Sequence, residues 1–324
     1  MELEQQMSNF TSMSDFQLLQ FSEIRELQML HFLVFLAVYL TAVTGNLLII
    51  IAIALDHHLH TPMYFFLMNL AMLDIGTVSV IVPKSMVNSL MDSNIISFSG
   101  CVAQVYCFML FSGSDFTLLI IMAYDRYVAI CNPLRYEAII NKKSCQRMAV
   151  SAWICGLLIA ILHAGGTFAI SFCSNIVNQF FCEVPELLKL SCSDFYLVEA
   201  GFLEVGCSFV IGGSIFIILT YMKIFATVLR IRSVQGKKKA LSTCLPHLTV
   251  VSLFMCSSLF IYMKPSKNSI PNLKIVVSVI YTIIPPMLNP FIYSIRNKDL
   301  KTALWKLLDF ECSSKKSAGL FCKT

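Results

Sequence analysis

No Asp, Glu, Lys or Arg interrupts the chain between Leu27 and Leu55. A helix of about 20 apolar residues crosses the hydrocarbon core of a bilayer, and a helix satisfies its own backbone hydrogen bonds there. The pattern returns six times. His57–Leu90 holds Asp74 inside and Lys84 near one end, and Gly100–Tyr124 is interrupted only by Asp115. Met148–Phe181 is charge-free but too long for one crossing, so it holds a helix and part of a loop. Ala200–Met222 encloses Glu204, and Ala240–Met263 and Ile275–Ile295 complete the set. Composition points the same way. The chain is 57% hydrophobic and 13% charged, against roughly 25% charged in a soluble domain, which leaves too few charges to cover a water-facing surface. The expected fold is an all-α membrane protein, a seven-transmembrane helix bundle whose two ends lie on opposite sides.

Basic residues orient such a bundle. The segments after the third, fifth and seventh runs hold 18 of the 24 Lys and Arg, among them Arg126, Lys142, Lys143, Lys237–Lys239 and Lys298. These segments are expected in the cytoplasm and the amino end outside, at the plasma membrane. The net charge of +5 is then a topology signal and calls for no nucleic-acid partner. Residues 1–26 form a polar, acidic outer segment without signal-peptide regions, so the first span is expected to act as an uncleaved signal-anchor. Asn9-Phe10-Thr11 is the chain's N-x-S/T sequon, and its outer position would permit glycosylation. Residues 27–296 form the membrane domain. In 297–324, Leu300, Ala303, Leu304, Leu307 and Leu308 recur at helical spacing. That predicts a short amphipathic C-terminal helix on the inner leaflet, in contact with membrane lipid.

The 13 cysteines divide by compartment. Cys101 opens the third span on the outer side, and Cys173, Cys182 and Cys192 fall in the long outer loop after the fourth. An oxidising exterior favours disulfides among these four, with three pairings open. The other nine read as small apolar packers. Cys312 and Cys322 in the tail are either palmitate carriers or plain thiols.

Five motifs then occur in order: Gly45-Asn46, LHTPMYFFL from Leu59, MAYDRYVAIC from Met122, KALSTCLPHL from Lys239 and PPMLNPFIYSIRN from Pro285. Together they resemble a vertebrate odorant receptor of the rhodopsin-like (class A) G-protein-coupled superfamily, from about Leu27 to Leu308. CSNIVNQFFCEVPELLKLSCSD looks most like family 14 of the class II receptors. The resemblance implies no enzymatic activity and no obligate cofactor. It implies Cys101–Cys182 and Cys173–Cys192 disulfides, a small volatile ligand, and a heterotrimeric G protein of the stimulatory, olfactory type as partner. A departure stands in the sixth span. Phe254-Met255-Cys256 replaces the frequent Phe-Tyr-Gly, so a tyrosine hydroxyl used by other members is missing.

On the inner side the resemblance gives Asp125, Arg126 and Tyr127 the switch role. Asp125 holds Arg126 at rest and releases it to the G protein when the sixth helix swings out; the competing reading is a static interfacial ion pair. Tyr221 and Tyr293 would rearrange toward that arginine, or else serve as interfacial anchors. Lys237–Lys239 and His247 border the sixth span, as G-protein contacts or positive-inside residues. Deeper in, Asp74 and Asp115 are costly unless paired or wet. Asn46 and Asn289 lie at comparable depth, and the resemblance implies a shared sodium site for these four, against a hydrogen-bonded network with one acid protonated. Pro286 and Pro290 mark a bend in the seventh span.

On the outer side Val105, Phe108, Met109 and Ser112 recur on one stripe of the third span, a spacing that plain packing also produces. The resemblance makes this stripe a pocket wall, facing Phe202, Val205 and Phe209 of the fifth span, Ser258, Leu259 and Tyr262 of the sixth, and Val279 and Thr282 of the seventh. A mostly apolar lining with a few hydroxyls suits a small volatile molecule. Amine receptors carry Asp where this chain has Phe108, and opsins carry a mid-span lysine that is absent here, Lys274 lying at the outer edge. Glu204 faces either the pocket or water between helices. A channel or transporter lacks its repeat halves and charged pore ring. An enzyme lacks a completed site, since nothing joins His57, His58 and His60. A sensor of the same fold for a non-odorant metabolite remains the alternative.

Overall fold

The computed structural model describes residues 14–22, 24–192, 196–262 and 271–317, with the side chains of 196–200, 202–203, 256–262, 271–277, 296 and 308–317 excepted. Asn9 and Cys322 lie outside the described residues, as does the side chain of Cys312. The long helices are α1 (Arg25–Leu55), α2 (Pro62–Met91), α3 (Phe98–Cys131), α4 (Lys142–Phe168), α5 (Tyr196–Arg230), α6 (Val234–Tyr262), α7 (Pro271–Arg296) and α8 (Lys298–Ser317). All of α1 to α5, together with Ser278–Ile295 of α7, are long and apolar enough on their described residues to cross a membrane. α6 packs against α7, α3 and α5 within the same bundle.

Helix ends depart from the charge-free runs for local reasons. α3 and α5 continue past the apolar core into polar sequence, because an intact helix keeps its hydrogen bonds in water as well as in lipid. α2 begins at Pro62 rather than His57: proline suits the first helical position, and His57–Leu59 forms a separate tight turn. α2 ends at Asp92, whose φ of 50° is left-handed. Ser97 caps α3 by accepting from the Gly100 N–H at 3.1 Å, and Asn141 with Ser144 forms a reciprocal capping box on α4.

α3 is the central post, touching α2, α4, α5 and α6. Its crossing with α4 depends on glycine. A Cβ on Gly156 would overlap the Ser114 hydroxyl and the Leu110 carbonyl, so the two backbones meet only because none is there. α7 carries Pro285, Pro286 and Pro290 inside its length. Pro290 has no N–H for the Pro286 carbonyl. Asn46 of α1 takes that place, its amide donating to Pro286 O at 3.0 Å.

The end of the bundle expected to face outward holds a small three-stranded sheet in the order β2-β1-β3. β1 (Asp15–Leu18) pairs antiparallel with β2 (Ile95–Ser97) and parallel with β3 (Ile176–Val177). Phe16 and Leu18 are buried under it against Cys101, Cys182 and Val184. Two disulfides, Cys101–Cys182 and Cys173–Cys192, with Cα atoms 5.6 and 5.1 Å apart, tie the loop to α3 and to itself. At the opposite end, expected to face the cytosol, α8 lays Leu300 and Ala303 into the bundle while Trp305 stays exposed. The Tyr64 hydroxyl donates to Asn297 at 2.9 Å and fixes the α7–α8 junction to α2.

Candidate functional site

Beneath the outer loop, helices α2, α3, α6 and α7 enclose a cavity of about 190 Å³. Phe108, Met109 and Ser112 of α3 and Thr282 of α7 line it, four of the residues expected from sequence. Four others fall elsewhere. Val105 is buried in the packing under the disulfide and sheet. Val205 is 64% exposed on the outside of the bundle. Phe209 packs edge-on against Phe116, 5.6 Å between centroids, and Val279 joins the cluster around Phe180. The side chains of Phe202, Ser258, Leu259 and Tyr262 lie outside the described residues. Glu204 is exposed and absent from the lining.

The loop supplies what a span-by-span reading misses. Glu183, directly after disulfide-bonded Cys182, is buried and reaches the cavity. It accepts hydrogen bonds from Tyr281 at 2.6 Å and from Gln179 at 2.8 Å, and Gln179 also donates to Ser278 at 2.5 Å. The loop is thereby latched to α7. Phe254 of α6 closes one wall, stacked on Phe116 at 5.3 Å.

The cavity continues down to Asp74, Thr77, Asp115 and Asn289. The expected ligand pocket and the expected polar cluster are therefore one space. Asn289 donates to both oxygens of Asp74, at 3.2 and 2.9 Å. Among the described residues Asp115 Oδ1, Thr77 Oγ1 and Asn289 Oδ1 are buried without a hydrogen-bond partner. Buried oxygens in that state call for a cation, a proton or water. Asn46 is not among the lining residues; its amide nitrogen donates to Pro286 O and Ala42 O, while its Oδ1 is buried without a hydrogen-bond partner.

At the inner end Arg126 pairs with Asp125, its Nε 2.9 Å from Oδ2 and its Nη2 on the same oxygen. Tyr136, on the short helix Tyr136–Ile139 after α3, donates to the other carboxylate oxygen at 2.8 Å. Burial and the adjacent Asp125 carboxylate push the Tyr136 phenol well above its ordinary value, so it stays a donor. Tyr127 lies under the Lys223 ammonium, 5.9 Å from its ring centre. Tyr293 is buried with its hydroxyl unpartnered.

His247 differs most from its sequence reading. It does not border the cytosol but is buried at the centre of α3, α5 and α6. The Leu119 carbonyl can only accept, so Nε2 carries the proton and donates to it at 3.1 Å. Nδ1 then accepts from the Tyr221 hydroxyl at 2.7 Å. One imidazole holds α6 to both neighbours. The signal available in the sequence was its place seven residues before Phe254, on the same face as the cavity wall.

Comparison with known proteins places this geometry. Residues 35–310 match the family model described as "Olfactory receptor". The human protein Olfactory receptor 14A16 is 45% identical over 315 residues, covering 95% of this chain and 100% of that protein. Human Olfactory receptor 14J1 is 46% identical, covering 94% and 95%, and human Olfactory receptor 14L1 is 47% identical, covering 91% of each.

Proposed function

Because the chain belongs to the olfactory receptor family, we propose that it takes up small, mainly apolar volatile molecules in the cavity beneath the outer loop. In response it activates a stimulatory, olfactory-type G protein and raises cyclic AMP. Membership makes it a multi-pass, seven-helix G-protein-coupled receptor for odorants and not an enzyme. The amino end faces outward and the basic loops face the cytosol, as the distribution of Lys and Arg supports.

The observation that carries the reading is the continuity of the cavity from Glu183 to Asp74, with α3 and α6 both in its wall. A ligand seated against Phe108, Met109 and Phe254 touches the two helices that His247 joins one level below. Ligand binding shifts the helices only through contacts that differ between the two states. A position of α6 that suits the ligand better stretches the His247 bonds and frees Tyr221. Arg126 then exchanges Asp125 for the G protein, with Tyr221 and Tyr293 close to its new path. Each buried CH₂ of a ligand contributes about 0.8 kcal/mol, so small odorants bind modestly.

Asp74 and Asp115 fit a sodium ion, with Thr77 and Asn289 Oδ1 as neutral ligands, since all four residues line one cavity and Asp115 Oδ1, Thr77 Oγ1 and Asn289 Oδ1 lack hydrogen-bond partners there. The ion would supply positive charge between two buried carboxylates that have no basic residue beside them in the lining.

The test is an odorant panel on cells carrying the receptor and a cyclic-AMP reporter, run beside Arg126→Ala. Agonists should raise cyclic AMP in the parent, and the variant should reach the surface yet stay silent. Normal output from Arg126→Ala would refute the coupling role.

A further inference from the structure

A second space among the described residues is roomier than the cavity of about 190 Å³ beneath the loop. A groove of about 640 Å³ opens at the inner end between α1, α2 and α4. Its floor is apolar, formed by Leu59, Phe65 and Met68. Its rim is cationic and polar: Lys142 and Gln146, one turn apart on α4, line it together with His60. No acid lines it, and the exposed Lys143 and Arg147 add charge at the same helix end. We propose that this groove binds an anionic phospholipid of the cytoplasmic leaflet, with the acyl chain along the floor and the phosphate against Lys142 and His60.

The chemistry selects the occupant. An apolar floor at this depth would take any hydrocarbon, and a sterol would satisfy it. The cationic rim without a carboxylate partner in the lining asks for a phosphate, and each Lys near an anionic leaflet favours binding by roughly fivefold. The wall also reaches the switch. Ile140 lines the groove and directly follows the helix Tyr136–Ile139, whose Tyr136 holds Asp125. A seated lipid therefore packs against the segment that sets the resting partner of Arg126. The site depends on these loops facing the cytosol but on no ligand or coupling assignment.

The full-length receptor in nanodiscs of phosphatidylcholine with a minor fraction of phosphatidylserine tests this without any odorant. Lipid retained after detergent exchange would be identified by native mass spectrometry. Phosphatidylserine should be retained over phosphatidylcholine. Lys142→Gln should cut that preference roughly fivefold, and Met68→Trp, which fills the floor, should remove retention of both lipids. Ala54→Trp, at an exposed lining position, repeats the block should Met68→Trp fail to fold. Equal retention of the two lipids, or a preference untouched by Lys142→Gln, overturns the proposal. A sterol retained in place of phospholipid from native membranes, and lost in Ala54→Trp, overturns the headgroup assignment.

Discussion

Replacing His247 by phenylalanine should make the receptor signal without ligand. The substitution keeps an aromatic ring to stack on Tyr221, now 5.7 Å away and inclined by 21°, while deleting both hydrogen bonds of the imidazole. Those bonds belong to the state described here, in which Arg126 is still on Asp125. Their loss therefore destabilises the resting state more than the active one. Two neutral bonds contribute about 1 kcal/mol each, and the Tyr221 hydroxyl and Leu119 carbonyl are left buried without partners. A net shift of about 2 kcal/mol is roughly a 30-fold change in the equilibrium. If ~1% of receptors are active without ligand, the variant would hold about a quarter of them active. The assay is basal cyclic AMP per surface receptor, with surface copies counted by an external tag. Tyr221→Phe provides the contrast: it breaks one of the same bonds but also removes the hydroxyl assigned to the freed Arg126, so its agonist maximum should fall. Basal output of His247→Phe equal to the parent, at equal surface expression, would refute the latch.

Three further outcomes follow from the same geometry. Asp115→Asn should abolish any sodium dependence of agonist potency, because it removes one of two carboxylates from the cavity floor; a sodium response identical to the parent's would dismiss the ion. Gly156→Ala should lower thermal stability by about 1–3 kcal/mol, since its new methyl meets Ser114 and the Leu110 carbonyl; an unchanged melting temperature of the purified receptor would show that α3 and α4 do not meet there. Phe108→Ala should weaken agonists by at least about tenfold, as a buried aromatic wall contributes roughly 1.5–3 kcal/mol and Phe108 also supports Phe181 edge-on at 5.7 Å. Unaltered potency across all active odorants would move the ligand elsewhere.

The spans were legible because hydrocarbon tolerates so little. A crossing must be long, apolar and helical, and Leu27–Leu55 or Ile275–Ile295 announce that with no reference to their neighbours. The amphipathic pattern at Leu300 and Ala303 was legible from its spacing, but its partner was not: lipid was expected, and the structure buries both residues against the bundle. The face of a membrane helix was not. Lipid and core are equally apolar, so hydrophobic spacing cannot tell Val105, Val205 or Val279 from Phe108, and the three valines lie away from the cavity lining. The strand Asp15–Leu18 alternates exposed and buried over four residues. That is too short to stand out, and its partners sit about 80 and 160 residues away along the chain.

The sequence by itself determined that this chain lives in a bilayer, how many times it crosses, and which cysteines, acids and basic clusters each side receives. Those follow from solvent chemistry acting on one segment at a time. Only the tertiary structure decided that Glu183 of the loop would reach the cavity and bind Tyr281, that His247 would turn inward to join three helices, and that the Asn46 amide would serve a proline-broken backbone. Each of these depends on a hydrogen-bond partner distant in sequence, and a buried polar group has no preferred direction until that partner is in place.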